Sequence, residues 1–194
     1  MPLRDAARVA CLSHAFLHSW RCRPNLTLNK DVLCSKEHEC KENFSDIIDR
    51  ILNKHSGIVV KILKLELDGI SCRCLNSWLR IAVKPGIEVF TLMPRRRKIK
   101  YNLPCSLLSD GVRNSIRYLE LGFCVFRPTA ELGPLRSLRS LHLRAVHITG
   151  DELACLLSNA LALEKLILDG CKEIIYLKIP CVLQKLSYFE CFWL

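Results

Sequence analysis

Residues 163–171 read Leu163-Glu164-Lys165-Leu166-Ile167-Leu168-Asp169-Gly170-Cys171. Apolar side chains stand at the first, fourth and sixth positions, and a small thiol closes the stretch. The same spacing returns at Leu138, Leu141, Leu143 and Val146, and at Ile116, Leu119, Leu121 and Cys124. A further copy reads Leu183, Leu186, Tyr188 and Cys191, and two weaker ones lie upstream at Ile62, Leu65, Leu67 and at Ile87, Phe90, Leu92. The leading strand positions are then 65, 90, 119, 141, 166 and 186, in steps of 25, 29, 22, 25 and 20 residues. A recurrence in this range signals a stack of similar units, none able to bury its apolar face alone. The 34 leucines among 194 residues supply that face.

The apolar-variable-apolar core of each copy predicts a short strand, because alternate side chains of a strand point to opposite faces. Leu119 and Leu121 are expected inward, with Tyr118, Glu120 and Gly122 outward. Cys124, Cys171 and Cys191 are expected inside the bend that follows each strand, where a small, weakly polar thiol is tolerated. The return limbs read as helical. Leu153, Leu156, Leu157, Ala160 and Leu161 share one helical face after Gly150-Asp151-Glu152, and Leu75, Trp78, Leu79 and Ala82 do so within Cys72–Val83. The pattern is that of an α/β leucine-rich-repeat solenoid of about six repeats over residues 58–194, with short parallel strands and helical or irregular return limbs. Its outward strand positions line the concave face that solenoids offer to partners. Tyr118, Glu120, His142, Arg144, Ile167, Asp169 and Phe189 are the expected contacts, on a face that runs from Lys64, Glu66 and Asp68 through Val89, Thr91 and Met93 to Lys185 and Ser187. The mixed charge of that face points to a protein target over nucleic acid. The apolar end Phe192-Trp193-Leu194 is a poor cap, which is expected of a truncated product or of an array that continues in a longer relative.

Half of the residues are apolar and a quarter charged, which excludes general disorder. No apolar run approaches the ~18–20 residues of a membrane-spanning helix. Arg4, Asp5 and Arg8 interrupt the stretch where a secretory signal needs uninterrupted apolar residues. The expectation is a chain that is not secreted, resident in cytoplasm or nucleus, whose 12 cysteines are thiols. The sequons at Asn25 and Asn43 then carry no glycan. A net charge of +10 permits an acidic partner without naming one. The basic run Arg95, Arg96, Arg97, Lys98 and Lys100 fits either a nuclear-localisation or phosphate contact or a solvated loop between repeats, and only Tyr101 accompanies it as an aromatic. Cys34, His38 and Cys40, with Cys72 and Cys74, lack the two-to-four-residue ligand spacing of zinc sites. No cysteine or histidine has a catalytic neighbourhood, and the 8 glycines are scattered singly, without a phosphate loop. A non-catalytic protein without cofactor or metal is expected.

Residues 1–28 do not follow the repeat. Ala7, Leu12, Phe16 and Trp20 have helical spacing, and Pro24 ends it. Residues 29–57 read as a linker or helical N-terminal cap. The tract Pro2-Leu3-Arg4-Asp5-Ala6-Ala7-Arg8, then Leu12-Ser13, Phe16, His18, Trp20 and Pro24-Asn25-Leu26, resembles the second half of an F-box as found in plant F-box/leucine-rich-repeat proteins. Phe16 stands where that family has its first tryptophan, and His14 and Ala15 stand where it has two arginines. Lys100-Tyr101-Asn102-Leu103-Pro104-Cys105 and Cys181–Cys191 resemble the family as well. The resemblance implies the substrate-recognition subunit of a Skp–cullin–F-box ubiquitin ligase. A short helical F-box remnant would present Leu3, Leu12, Phe16 and Trp20 to a Skp-type adaptor, and the repeats would hold a target. The N-terminal half of the F-box is missing from this stretch. The alternatives are a stand-alone leucine-rich-repeat binding protein, or gene fragment, without adaptor binding, and nucleic-acid contact through residues 95–100.

Overall fold

The computed structural model of the protein describes residues 23–33, 44–55, 59–95, 101–180 and 183–192. In chain order the elements are β1 (Asn25–Leu28), α1 (Lys30–Leu33), α2 (Phe44–Lys54), β2 (Ile62–Asp68), α3 (Cys72–Ala82), β3 (Val89–Arg95) and β4 (Tyr101–Leu103). They continue as α4 (Asp110–Ser115), β5 (Tyr118–Gly122), β6 (Cys124–Phe126), β7 (Ser140–Arg144), α5 (Gly150–Ser158), β8 (Lys165–Asp169) and β9 (Tyr188–Phe192), with single 3-10 turns at Cys105–Leu107 and Ala130–Leu132. Seven strands form one parallel sheet in the order β1-β2-β3-β5-β7-β8-β9, which is their order along the chain, and β4 pairs with β6 in a second, two-stranded sheet.

The register of the large sheet makes two inward columns. One is Leu26, Leu63, Phe90, Leu119, Leu141, Leu166 and Phe189; the other is Leu28, Leu65, Leu92, Leu121, Leu143, Leu168 and Cys191. From β1 to β8 every member of both columns is buried. Each such side chain contributes ~1.5–3 kcal/mol by leaving water, and the columns are continuous, so the core is one strip beneath the sheet. Each strand also extends its ladder backwards: the N–H groups of Glu88, Arg117, Arg139, Glu164 and Ser187 each donate to the carbonyl of the equivalent residue one repeat earlier, at 2.8–3.0 Å.

The chain turns out of the sheet in the same way after four strands. Gly69, Phe123, Ala145 and Gly170 follow β2, β5, β7 and β8, and all have positive φ, between 49° and 71°. The next residue in each case (Ile70, Cys124, Val146 and Cys171) is buried. Cys124 and Cys171 thus stand where the repeat pattern puts a small side chain, and the Cys171 thiol donates to the Leu143 carbonyl at 3.5 Å. The return limb expected from Gly150 onward is α5, whose N-terminus carries a capping box. The Thr149 hydroxyl accepts from the Glu152 N–H, and the Glu152 carboxylate accepts from the Thr149 N–H. The helix expected over Cys72–Val83 is α3, with Leu75, Trp78, Leu79 and Ala82 buried and Trp78 donating to Asp49 of α2 at 2.6 Å.

Behind the sheet, Arg127 ties three return limbs together. It donates to Glu152 at 2.8 Å and to Glu173 at 2.7 Å, and Glu173 also accepts from His147. The His147 and Arg127 hydrogen bonds hold the Glu173 carboxyl below its usual value. At Glu152 partial burial pushes the carboxyl up, but the Thr149 backbone and the Arg127 guanidinium outweigh it.

Three expectations need correction. First, among the described residues the sheet starts at Asn25, ahead of residue 58. Leu26 and Leu28 are core residues, so residues 25–28 belong to the solenoid rather than to the N-terminal segment, and the described residues hold seven strands of the array instead of about six. Second, β9 is displaced from its expected phase. Phe189 pairs with Leu166 and Cys191 with Leu168, so Phe189 is on the inward face and Cys191 is inside the strand rather than in a bend. The apolar run Leu183-x-x-Leu186-x-x-Phe189 matches the repeat in two alignments three residues apart, and an odd slip inverts every side chain. Third, the outward positions Thr91, Met93 and Gly122 are buried. A Cβ on Gly122 would meet the Met93 sulfur at 2.4 Å, so Met93 lies across the glycine and closes that part of the face.

Candidate functional site

The outward face of the large sheet is organised in rows by the strand register. One row crosses Ile62, Val89, Tyr118, Ser140, Lys165 and Tyr188; the next crosses Lys64, Thr91, Glu120, His142, Ile167 and Glu190. A third, at the far end of the strands, holds Arg144, Asp169 and Phe192. Neighbours in a row are one interstrand spacing apart, ~4.8 Å, which is within hydrogen-bonding reach for medium-sized polar side chains.

Five of these side chains form one continuous chain of hydrogen bonds. Thr91 and Tyr118 both donate to the same Glu120 oxygen, Oε2, at 3.2 and 3.0 Å. The Tyr118 hydroxyl is also 3.0 Å from His142 Nδ1, and Ser140 Oγ is 3.0 Å from His142 Nε2. A tyrosine hydroxyl has one proton, and here it is donated in the hydrogen bond to the carboxylate. His142 therefore carries its proton on Nδ1 and donates to the Tyr118 oxygen, while Nε2 accepts from Ser140. The neutral imidazole is favoured: burial lowers the His142 pKa and the Lys165 and Arg144 cations reinforce this, against the opposing Glu120 carboxylate. Burial and the Glu120 carboxylate together push the Tyr118 hydroxyl well above its usual value, so it remains a donor. The Tyr118 and His142 rings also meet edge to face with centroids 4.9 Å apart.

Several charged groups around this chain are paired as well. Arg144 Nε donates to Asp169 at 3.0 Å, Lys165 lies over the Tyr188 ring at 4.6 Å, and Tyr188 donates to Glu190 at 2.9 Å. On the adjoining rim Lys61 pairs with Glu88 and Arg139 with Glu164. Exposed pairs of this kind add little stability, about 0–1 kcal/mol each. Their effect is on geometry: they hold donors, acceptors and aromatic edges of the outward face in fixed positions. Ile167 is the apolar step between His142 and Glu190.

Of the residues the sequence singles out, Tyr118, Glu120, His142, Arg144, Ile167 and Asp169 share this face. Phe189 does not, and its place is taken by Tyr188 and Glu190, which the other alignment of the last repeat would have found. Leu3, Leu12, Phe16 and Trp20 lie outside the described residues, as do Arg96, Arg97, Lys98 and Lys100, together with Cys34, His38 and Cys40. The backbone of Arg95 ends β3, in register with Asp68. Among the described residues no cluster of three or more His, Cys, Asp or Glu side chains is placed to hold a metal ion, and no helix is long and apolar enough to cross a membrane.

The model of the family described as "At1g61320/AtMIF1, LRR domain" matches residues 51–193, about three-quarters of the chain. No curated protein and no solved structure matches the chain significantly.

Proposed function

Because the chain belongs to the At1g61320/AtMIF1 leucine-rich-repeat domain family, we propose that it is a non-catalytic protein-recognition module that holds its partner on the outward face of the seven-stranded sheet. The observation that carries this reading is the Thr91–Glu120–Tyr118–His142–Ser140 chain. It fixes five neighbouring side chains on the outward face, with Thr91 buried and Tyr118, Glu120, Ser140 and His142 half-buried. Buried aromatic and charged anchors of this type dominate interface energies. The paired charges favour a folded protein surface over a polyanion, whose binding would need an excess of free cations.

The more specific role is that of a target-holding subunit of a Skp–cullin–F-box ubiquitin ligase. It is supported by the resemblance of residues 2–26 to the second half of a plant F-box, although Leu26 of that tract is committed to the sheet core. A pull-down of the full chain with a Skp-type adaptor, beside a chain lacking residues 1–22, tests it. The deletion stops short of β1 so that the sheet keeps its first strand. Adaptor capture that disappears with the deletion supports the ligase role, and no capture by a folded full chain leaves a stand-alone recognition module. Nucleic-acid contact through residues 95–100 would instead show as affinity falling steeply with salt.

A further inference from the structure

We propose that Glu120 anchors a basic side chain, an arginine or lysine of the protein partner held on the outward face, a proposal that rests on the recognition reading above and names the chemistry this face takes.

The protons of the central hydrogen-bonded chain all run one way. Thr91 and Tyr118 each give their only hydroxyl proton to Glu120 Oε2. His142 gives its Nδ1 proton to the Tyr118 oxygen, and Ser140 gives its hydroxyl proton to His142 Nε2. Every proton is therefore spent toward Glu120, and no side-chain donor of the chain is left for a partner. What stays open is acceptor capacity: Glu120 Oε1 takes no hydrogen bond from a described residue, and the Ser140 oxygen keeps lone pairs. A group that meets this surface has to bring its own N–H or O–H donors.

Charge then selects among donors. Glu120 is half-buried and makes no ion pair among the described residues. The two hydroxyls orient its carboxylate but carry no charge. The nearby cations are turned elsewhere, Arg144 to Asp169 at 3.0 Å and Lys165 onto the Tyr188 ring. Lys64 stands in the same row, but Thr91 separates it from Glu120.

The surroundings suit a cation on an alkyl stem. On the β3 side Thr91 and Met93 are buried, so water is sparse on that flank and the attraction exceeds that of a fully hydrated carboxylate. Gly122, the next outward position on β5, has no side chain to compete for the carboxylate. The Tyr118 and His142 rings, packed edge to face, give the stem an apolar bed. Arginine brings five N–H donors and lysine three, which matches one charged acceptor with further lone pairs beside it.

The test selects binders to the full chain from a displayed library of one small folded scaffold with a randomised face. Amide chemical shifts along β5 and β7 report whether a binder sits on the outward face. The expected binders carry an arginine or lysine whose replacement by glutamine weakens binding on the order of tenfold or more. Glu120→Gln keeps an acceptor for Thr91 and Tyr118. It is expected to weaken the parent binder by a similar factor and to leave the glutamine binder nearly unaffected, which is the coupling of a direct pair. Binders that shift β5 and β7 but need no basic residue, or whose basic residue does not couple to Glu120, overturn this proposal and leave the recognition reading standing. Binders held only elsewhere, or none enriched over a blank support, overturn both. The glutamine replacement is made in the binder, so the need for a basic residue is decided even if Glu120→Gln does not fold.

Discussion

The four left-handed residues that follow β2, β5, β7 and β8 make a sharp thermodynamic prediction, because they occupy one structural position with two kinds of residue. Gly69 and Gly170 adopt φ of 71° and 62°, whereas Ala145 and Phe123 hold the same turn at 49° and 53°. An L residue with a Cβ is disfavoured in this region by ~1–2 kcal/mol. Replacing alanine by glycine also loosens the unfolded chain, at a cost of ~0.4–1 kcal/mol. The difference leaves Ala145→Gly stabilising by about 0.5–1 kcal/mol. For Gly170→Ala the same terms reverse, giving a loss of about 0.5–1 kcal/mol. No steric term enters there, since the nearest atoms to the new Cβ, Ala145 Cα and N, are 4.0 Å away. Ala154→Gly, inside α5, is the control. There the same chemical change costs ~1 kcal/mol, because glycine is a poor helix former. Urea unfolding followed by circular dichroism reads these differences as midpoint shifts at constant slope. In a chain of this length 1 kcal/mol moves the melting temperature by ~2–4 °C. If Ala145→Gly and Ala154→Gly destabilise alike, the turn geometry does not govern stability and the reasoning fails.

Truncating Leu143→Ala in the middle of an inward column, where the side chain is fully enclosed, is expected to cost ~2–5 kcal/mol by urea unfolding while leaving the outward face chemically intact. Arg127→Ala removes the donor shared by Glu152 and Glu173. On a partly exposed arginine the expected loss is about 1 kcal/mol, smaller at high salt, and is read from the same unfolding curves at two ionic strengths. Both carboxyls are held below their ordinary value of 4.5 in the folded protein. Their contribution is therefore complete above that value and is lost as pH falls through the folded pKa values, so acid unfolding should shift to higher pH in Arg127→Ala. His142 is lowered from 6.5, so the unfolded chain binds its proton first. Stability from this site is complete above pH 6.5 and declines as pH falls from there to the folded value; an NMR titration of His142 that matches a free histidine would refute the buried, Nδ1-protonated assignment.

The sequence alone determined the architecture. Leucines at the first, fourth and sixth positions, recurring every 20–29 residues, permit little besides short strands stacked in chain order. The limbs after Gly150 and from Cys72 carry a helical face plain enough to place α5 and α3. Six of the seven expected face residues also followed directly, because strand alternation assigns faces once the phase is known. The tertiary structure decided where that phase was ambiguous. Leu183-x-x-Leu186-x-x-Phe189 is apolar at every third residue, and only pairing with β8 chooses between two alignments that place opposite sets of side chains outward. It also decided that Asn25–Leu28 belongs to the array. That stretch has too few residues to show a period, and becomes a strand by lying beside β2. The burial of Met93 against Gly122 and the contact of Tyr118 with His142 join residues 29 and 24 positions apart on neighbouring strands. Periodicity reports the face on which a residue stands. Which neighbour it meets across that face depends on the register between strands, and that is a property of the folded sheet.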